Sequence, residues 1–526
     1  MGEVIASSLA AAVTSGVTNT QFQTSAEVVQ RKILFIGTGD PTKEAGLSLN
    51  TPIPVTSPED VGNLTGFGWM LHRLAEQGFK GSKNSIEAWM IVQAEDGATG
   101  VQALGDIDFT ASTGVLAGKI SLYISGILNR VVEVAVTDAM TADNIAAAVI
   151  VAVNAIKELP VTALVNGVTT AQVDFTAKSV GTWGNNIDLA FNLKQGEELP
   201  SGVSAVITAM ASGAGVEVIA TALNSLGVGD NANENFFTDV IHGYGADTTT
   251  MDAILAYVGA GNTKIGLYSE LVHKPFRVLT GDVVADSAGL TAIRAIGDGR
   301  KTDRANGTVS VPGSHSHPEE IAAQAMGIMA KVNNSLAEQN YVDMILQDID
   351  PGATADRWTS EYTNRDLAVK SGISPTFVIS GNVVLQNVAT YYHPDNVPQA
   401  SNGYRSMRNI SVLQNILNSQ YVTFNADKWK NVTFVEDVTK VSNAASREYV
   451  RDIDAVIDED ISLIDTWMDN AWIYTDTFSK EQLKTNPPTI RTGADGFNNK
   501  IKVILSGEGL IFDNETEFDV SIAVLS

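Results

Sequence analysis

LPVTALVNGVTTAQVDFTAKSVGTWGNNIDLAFN, Leu159–Asn192, is the stretch that decides the reading of this chain. It reads as a short strand, a turn at Asn166-Gly167, a second strand, a polar glycine-rich loop and a third strand. Nothing in the segment has the look of a reaction site.

Upstream of it, Thr141–Lys157 reads as a helix capped by Thr141, with Ile145, Val149, Ala152 and Ile156 at helical spacing. Val115–Ser125 and Arg130–Thr137 read as a hairpin. Together these make an α+β block from about Gly97 to Leu193, inserted into something of a different kind.

The surrounding chain alternates strands with helices. Arg31–Gly39, Glu87–Ala94, Phe237–Gly243, Val278–Thr280, Thr308–Val311 and Tyr341–Gln347 read as strands. Trp69–Gln77, Ile219–Leu226 and Thr250–Gly259 read as helices. Ser57 caps another helix start, with Pro58 in the first turn and Asp60 placed to close a capping box, and Gly66-Phe67-Gly68 interrupts it. A further helix begins at Pro318, with Glu319 and Glu320 favourable to its dipole and Ile321, Ala325, Ile328, Val332 and Leu336 on one face. Such alternation argues for a mostly parallel sheet covered on both faces.

Beyond Ser374-Pro375 the strands lengthen, to Thr376–Ser380 and Asn382–Tyr392. The helix Ile410–Gln420 and a long acidic helix, Ser446–Met468, follow; Val450, Ile453, Ile457, Ile461, Ile464 and Met468 are expected to face inward. Lys500–Leu505 and Glu517–Leu525 alternate as strands. Phe518, Val520, Ile522 and Val524 share one face of the last, which either folds back or adds to a neighbour's sheet edge. Residues 1–30, rich in Ala, Ser, Thr and Val, read as an extended arm, with Val4 and Ile5 as its candidates for strand exchange.

At 526 residues and 55.7 kDa the chain exceeds what one core serves. Its 34 basic and 60 acidic side chains leave a net charge of -26. That charge repels phosphate backbones and anionic membranes, so neither direct nucleic-acid nor membrane binding is expected. Self-assembly then needs apolar or charge-matched contacts to offset the repulsion. Without cysteine there is no disulfide, thiolate metal site or thiol nucleophile. The start MGEVIASSLAAAVTSG lacks the basic region of a signal peptide. The longest apolar run, Ile145–Val153, falls short of the roughly 18 residues a membrane span needs. A soluble product of the cytoplasm is expected.

Candidate chemistry is sparse. His315-Ser316-His317 has no carboxylate at a recognisable ligand spacing and reads as a helix-entry turn. His72, His242, His273 and His393 have no motif around them. Gly37-Thr38-Gly39-Asp40 and Gly213-Ala214-Gly215 complete no phosphate loop. Gln347–Asp356 places Asp348, Asp350 and Asp356 at a strand end, but not at EF-hand spacing, and reads as a solvated loop. No GxSxG occurs to seat a serine nucleophile. Asp452, Asp454, Asp458, Glu459, Asp460 and Asp465 read as a solvated helix face or a contact for a basic partner. No catalytic, cofactor-binding or metal residue is expected, and no enzyme.

The order of several short motifs resembles the contractile-tail sheath proteins of Mu-like bacteriophages. They are Asn50-Thr51-Pro52, Val55-Thr56-Ser57, Gly66-Phe67-Gly68-Trp69-Met70-Leu71 and Glu87-Ala88-Trp89. Leu159-Pro160-Val161-Thr162-Ala163, Thr176-Ala177-Lys178, Gly184-Asn185-Asn186-Ile187 and Met210–Gly215 follow in the same order. Gly372-Ile373-Ser374, Gly381-Asn382-Val383 and Thr390-Tyr391 close the run, with Gln386-Asn387 where the family usually carries an arginine.

The resemblance implies a subunit that forms hexameric rings stacked helically around a tail tube. Its arms add strands to neighbouring sheets, and contraction drives the tube through the host envelope without nucleotide hydrolysis. The implied fold class is multidomain α/β. A mostly parallel, subtilisin-like sheath core takes residues 31–96 and 200–375, and an inserted outer α+β, β-rich domain takes 97–199. A C-terminal α+β domain facing the tube takes 376–507, with extended arms at 1–30 and 508–526. The implied partners are further copies of the chain, the tail tube protein, and baseplate and tail terminator proteins. The site is the virion tail, assembled in the host bacterial cytoplasm. Two other readings remain: a hydrolase on the α/β core, which a serine-directed probe would label, and a capsid-decoration module, which would follow an icosahedral shell.

Overall fold

The computed structural model describes residues 28–95, 100–226, 236–258, 276–358, 362–395, 403–490 and 496–507. Val4, Ile5, Phe518, Val520, Ile522 and Val524 lie outside the described residues, as does His273.

The chain begins with β1 (Lys32–Thr38), α1 (Pro41–Glu44), β2 (Ile53–Val55), α2 (Pro58–Thr65), α3 (Met70–Ser82) and β3 (Glu87–Gln93). Ser57 caps α2 by accepting from the Asp60 N–H, 3.1 Å away. The Asp60 carboxylate reaches back to the Thr56 N–H instead of that of Ser57, so the box closes one residue early. After Gly66-Phe67-Gly68 the helix restarts as α3.

Next come β4 (Gln102–Ala111), β5 (Gly118–Ile124), β6 (Val131–Val136), α4 (Ala142–Ala155), β7 (Val161–Val165), β8 (Gln172–Val180), β9 (Leu189–Phe191) and β10 (Val203–Ala211). The opening segment forms its three strands, but they serve two sheets. The hairpin β7–β8 joins a four-stranded sheet of order β10-β4-β8-β7, whereas β9 crosses to a three-stranded sheet of order β6-β5-β9. Alternation drives the pairing: Val173, Phe175 and Ala177 of β8 are buried on the face shared with Ile107 and Phe109 of β4. Residue 200 was expected to return the chain to the core. The strand that follows it, β10, instead pairs antiparallel with β4 from Val203↔Ala111 to Thr208↔Asp106.

The large sheet is then completed by β11 (Asp239–His242), β12 (Arg277–Asp282), β13 (Asn306–Ser310), β14 (Ile345–Leu346), β15 (Ile373–Ile379) and β16 (Asn382–Leu385). Its order is β14-β16-β15-β13-β12-β11-β1-β3-β2, with nine strands. The run from β15 to β3 is parallel throughout, and antiparallel strands flank it on both sides. The intervening helices are α5 (Ile219–Asn224), α6 (Thr248–Tyr257), α7 (Leu290–Asp298), α8 (Pro318–Ser335) and α9 (Thr363–Lys370).

Three expectations change here. Tyr341–Gln347 contributes only two paired residues, because Asp343 takes a φ of 62° and breaks the extension. Asn382–Tyr392 runs as a strand only as far as Leu385, with one isolated bridge beyond it, Ala389↔Ser406. The change of pattern at Ser374-Pro375 is no boundary: both residues sit inside β15, in register with Val309 and Ser310 of the parallel sheet.

Helix α8 is buried on nearly every side from Pro318 to Ala330, so its amphipathic stripe understates its place at the centre. It packs on α3 backbone to backbone. A Cβ on Gly81 would lie 2.1 Å from the Gln324 carbonyl oxygen, and one on Gly327 would lie 2.2 Å from that of Gly78.

The remaining helices are α10 (Met407–Phe424), α11 (Ala444–Arg447), α12 (Ile453–Asp469) and α13 (Asp476–Thr485). Helices α10, α12 and α13 pack around a second apolar cluster that includes Val412, Ile416, Leu463, Ile464, Trp467, Trp472, Ile473 and Leu483. The acidic helix starts later than expected, with Asp452 as its cap. Its buried face is Val456, Asp460, Leu463, Ile464 and Trp467, while Met468 is exposed. Lys500–Leu505 forms no ladder beyond a bridge between Leu505 and Ile473.

Candidate functional site

The residues singled out for chemistry are occupied by structural work. His317 caps α8: its Nδ1 accepts from the Glu319 N–H at 3.2 Å, and its Nε2 donates to the Trp183 carbonyl at 3.0 Å. Its ring stacks on Trp183 at 4.3 Å. Burial lowers its pKa to about 3, so the imidazole is neutral with both nitrogens committed. His315 pairs with Asp188, whose hydrogen bond raises the histidine pKa. Burial likewise lowers His72 to about 3 and His242 to about 4; their Nδ1 atoms accept from Gly68 and Tyr244.

The loops resolve in the same way. Gly39 donates its N–H to Glu44 at 3.0 Å, and Gly213 donates to Asn185 at 2.7 Å. Asp350 accepts from the N–H groups of His315 and Gly352, Asp348 pairs with Lys80 at 2.6 Å, and Asp356 accepts from Ser287. Among the described residues no group of three His, Cys, Asp or Glu is arranged to hold a metal. The acidic helix is not a uniform solvated face. Glu459 pairs with Lys428 and Asp465 with Lys480, while Asp460 is buried and accepts from Asn499 at 2.8 Å. Burial pushes the Asp460 carboxyl up to about 6.

Two buried polar constructions stand out. The first joins the small sheets to the core. Arg73 of α3 grips Glu320 of α8 with two hydrogen bonds, of 2.8 and 2.6 Å, with both side chains almost fully buried. Burial alone would lower the Arg73 pKa, but Glu320 and Glu76 outweigh it and keep the guanidinium charged. Burial would also raise Glu76; Arg73 and Arg130 hold it down at about 2. Arg130, from the loop between β5 and β6, thereby fastens that hairpin to α3. Lys178 of β8 adds bonds to the carbonyls of Phe67 and Lys157.

The second joins the stretch just before β1 to the stretch after α13. The Val29 N–H donates to Asn415 at 2.8 Å and the Arg31 N–H to Asn334 at 3.0 Å. The Arg31 guanidinium reaches Gln414, Ser411 and the Asn333 carbonyl. Burial and the neighbouring Arg277 lower its pKa to about 9, against the pull of Asp239. At the other end Arg408 of α10 donates to the Ser506 carbonyl at 2.7 Å and to its hydroxyl at 2.6 Å. Val28, Ile501, Val503 and Leu505 all pack against the second apolar cluster. One helix, α10, therefore holds both the Val29–Arg31 stretch and Ser506. Sequence reading missed these residues. Their only trace is Ser411, Gln414 and Asn415 set among the apolar positions of α10, where a plain amphipathic helix would be apolar.

No family model matches the chain. Among curated proteins it is similar to the Mu-like prophage FluMu tail sheath protein of Haemophilus influenzae, 26% identical over 368 residues, which cover 69% of this chain and 68% of that protein. The resemblance carried by the short motifs therefore extends to an aligned relative. Among solved structures it is similar to the sheath tail protein of Desulfitobacterium hafniense, with 12% identity, a TM-score of 0.42 and coverage of 94% of this chain and 97% of that one. Another similar chain is found in the contracted baseplate of the anti-feeding prophage, with 10% identity, a TM-score of 0.41 and coverage of 97% and 98%.

Proposed function

We propose that this chain is the structural subunit of a contractile phage tail sheath. Copies form six-fold rings stacked helically around a tail tube, and rearrangement of their packing drives the tube through the host envelope. The observation that carries this reading is the aligned similarity to a tail sheath protein over 69% of the chain. The core is read as subtilisin-like in fold and without enzymatic activity; for the latter, His317 and His242 are buried and neutral and His315 is paired with Asp188. The insert faces outward and the C-terminal helices face the tube. The tube protein, baseplate and tail terminator are the partners, and assembly takes place in the host cytoplasm.

In this reading the terminal arms, with Val4 and Ile5 at one end and Phe518, Val520, Ile522 and Val524 at the other, add strands to neighbouring copies. A new strand pair of about five hydrogen bonds, at about 0.5–1.5 kcal/mol each, contributes a few kcal/mol per contact. Repeated over many copies, that makes a durable lattice. Deleting Glu517–Ser526 tests the arm: polymerisation should stop while the unfolding transition of the single chain stays in place. A truncated chain that unfolds would assign the strand to its own core.

A further inference from the structure

The Val29–Arg31 stretch and Ser506 are joined by more than a shared helix. Asn333, fully buried, sits between them. Its backbone carbonyl accepts from Arg31 at 3.4 Å, and its amide nitrogen donates to the carbonyls of Leu336, Ala337 and Gln339 at 3.1, 3.3 and 3.2 Å. The one carbonyl it leaves in that loop, on Glu338, accepts from Arg408 Nε at 2.6 Å. Arg408 in turn holds Ser506. All four successive carbonyls after α8 are thus gripped, three from the Arg31 side and one from the Ser506 side. Arg277 pins the hub to the large sheet, donating to Asn333 Oδ1 at 2.8 Å and, through Nε, to Asp239 at 2.9 Å.

We propose that Asn333 and Arg408 splice the segment at Arg31 to the segment at Ser506 in one hydrogen-bonded path, so that a pull on either segment is felt at the other. Arg31, Asn333 and Arg408 are positioning residues. They fix where the two segments lie relative to each other. The loop between Leu336 and Gln339 is the link. The donors Asn333 and Arg408 are buried and find little water to replace a lost acceptor, while the loop at Leu336 and Gln339 is exposed. The use of the path, carrying load between neighbouring copies, rests on the sheath reading; the path itself does not.

Hydrogen exchange on the unassembled chain tests it. Lysine at position 408 keeps the charge but lacks the forked guanidinium, so it cannot hold Glu338 and both Ser506 atoms together. In Arg408→Lys the amide of Arg31, which donates to Asn334 beside the hub, should exchange at least tenfold faster, with β1 unchanged. Faster exchange confined to the stretch from Trp472 to Ser506 would overturn the proposal. Arg31→Lys reads the path in reverse, and decides alone if the first variant does not fold. It removes the Nε that donates to the Asn333 carbonyl and should speed exchange of the Ser506 amide at least threefold; no change there would refute the splice. Failure of the unaltered chain to form tubes would sink the sheath reading and leave these exchange results standing, whereas tubes with unlinked ends would sink only the splice.

Discussion

Acid should loosen this protein through His317, and the size of the effect follows from its surroundings. The ring is neutral in the fold because its Nδ1 already accepts from Glu319 while its Nε2 donates to Trp183. A proton on Nδ1 would face an N–H and break the cap of the central helix. Its pKa is lowered by burial from 6.5 to about 3. A base with a depressed folded pKa binds its proton first in the unfolded chain. Stability is therefore intact above the unfolded value and is lost as the pH falls from about 6.5 towards 3. Between pH 7.5 and pH 5 the loss from this one group is about 2 kcal/mol, from roughly 1.5 units at 1.36 kcal/mol each.

His317→Asn isolates that term. Asparagine is a good helix cap and still accepts from the Glu319 N–H, but it does not titrate. It forfeits the stack on Trp183, at a cost of about 1 kcal/mol at any pH. His72 and His242 carry similar acid terms, equal in both proteins, so they cancel in the comparison. Urea unfolding at the two pH values, followed by tryptophan fluorescence, gives the loss for each protein. The unaltered chain should lose about 2 kcal/mol more than His317→Asn on acidification. Equal losses would refute the neutral, doubly bonded imidazole.

Three further outcomes follow from named contacts. Gly327→Ala should destabilise by about 1–3 kcal/mol, seen as a lower thermal midpoint, because its methyl group would lie 2.2 Å from the Gly78 carbonyl oxygen. Arg73→Met should cost about 3–5 kcal/mol by leaving the buried Glu320 without its cation; adding Glu320→Leu should restore much of the loss, measured by denaturant unfolding. Tube formation should need salt: with a net charge of -26 per copy, raising sodium chloride towards 1 M shortens the screening length to about 3 Å and should lower the concentration at which light scattering rises.

Local signals reached the sequence intact. Ser57 and Thr141 cap their helices and glycines interrupt α2 from α3, since each is decided within a few residues, whereas Asn166-Gly167 makes no tight turn: residues 166–171 join β7 to β8, with neither Asn166 nor Gly167 at positive φ. What failed was the joining of distant strands. Neither β4 nor β10 is among the strands read from sequence, and nothing within β10 says that it joins β4 rather than the large sheet. The acidic helix offered isoleucines on both flanks, and the buried Asp460 disguised its inward face. The chain-end site was the least legible: Arg31 meets Gln414 across a separation of 383 residues, and Asn333 acts only because three loop carbonyls turn towards it. The short motifs succeeded where spacing could not, because their order along the chain carries family likeness without fixing a contact.

The account stands on copies of this chain sharing backbone pairing. A cryo-electron reconstruction of tubes grown from the purified protein tests that directly, at a resolution that traces Glu517–Leu525. The account predicts that Phe518, Val520, Ile522 and Val524 form a strand hydrogen-bonded to the sheet of an adjacent copy, in rings of six. The same strand paired within its own copy, with no backbone bond crossing between copies, would contradict it.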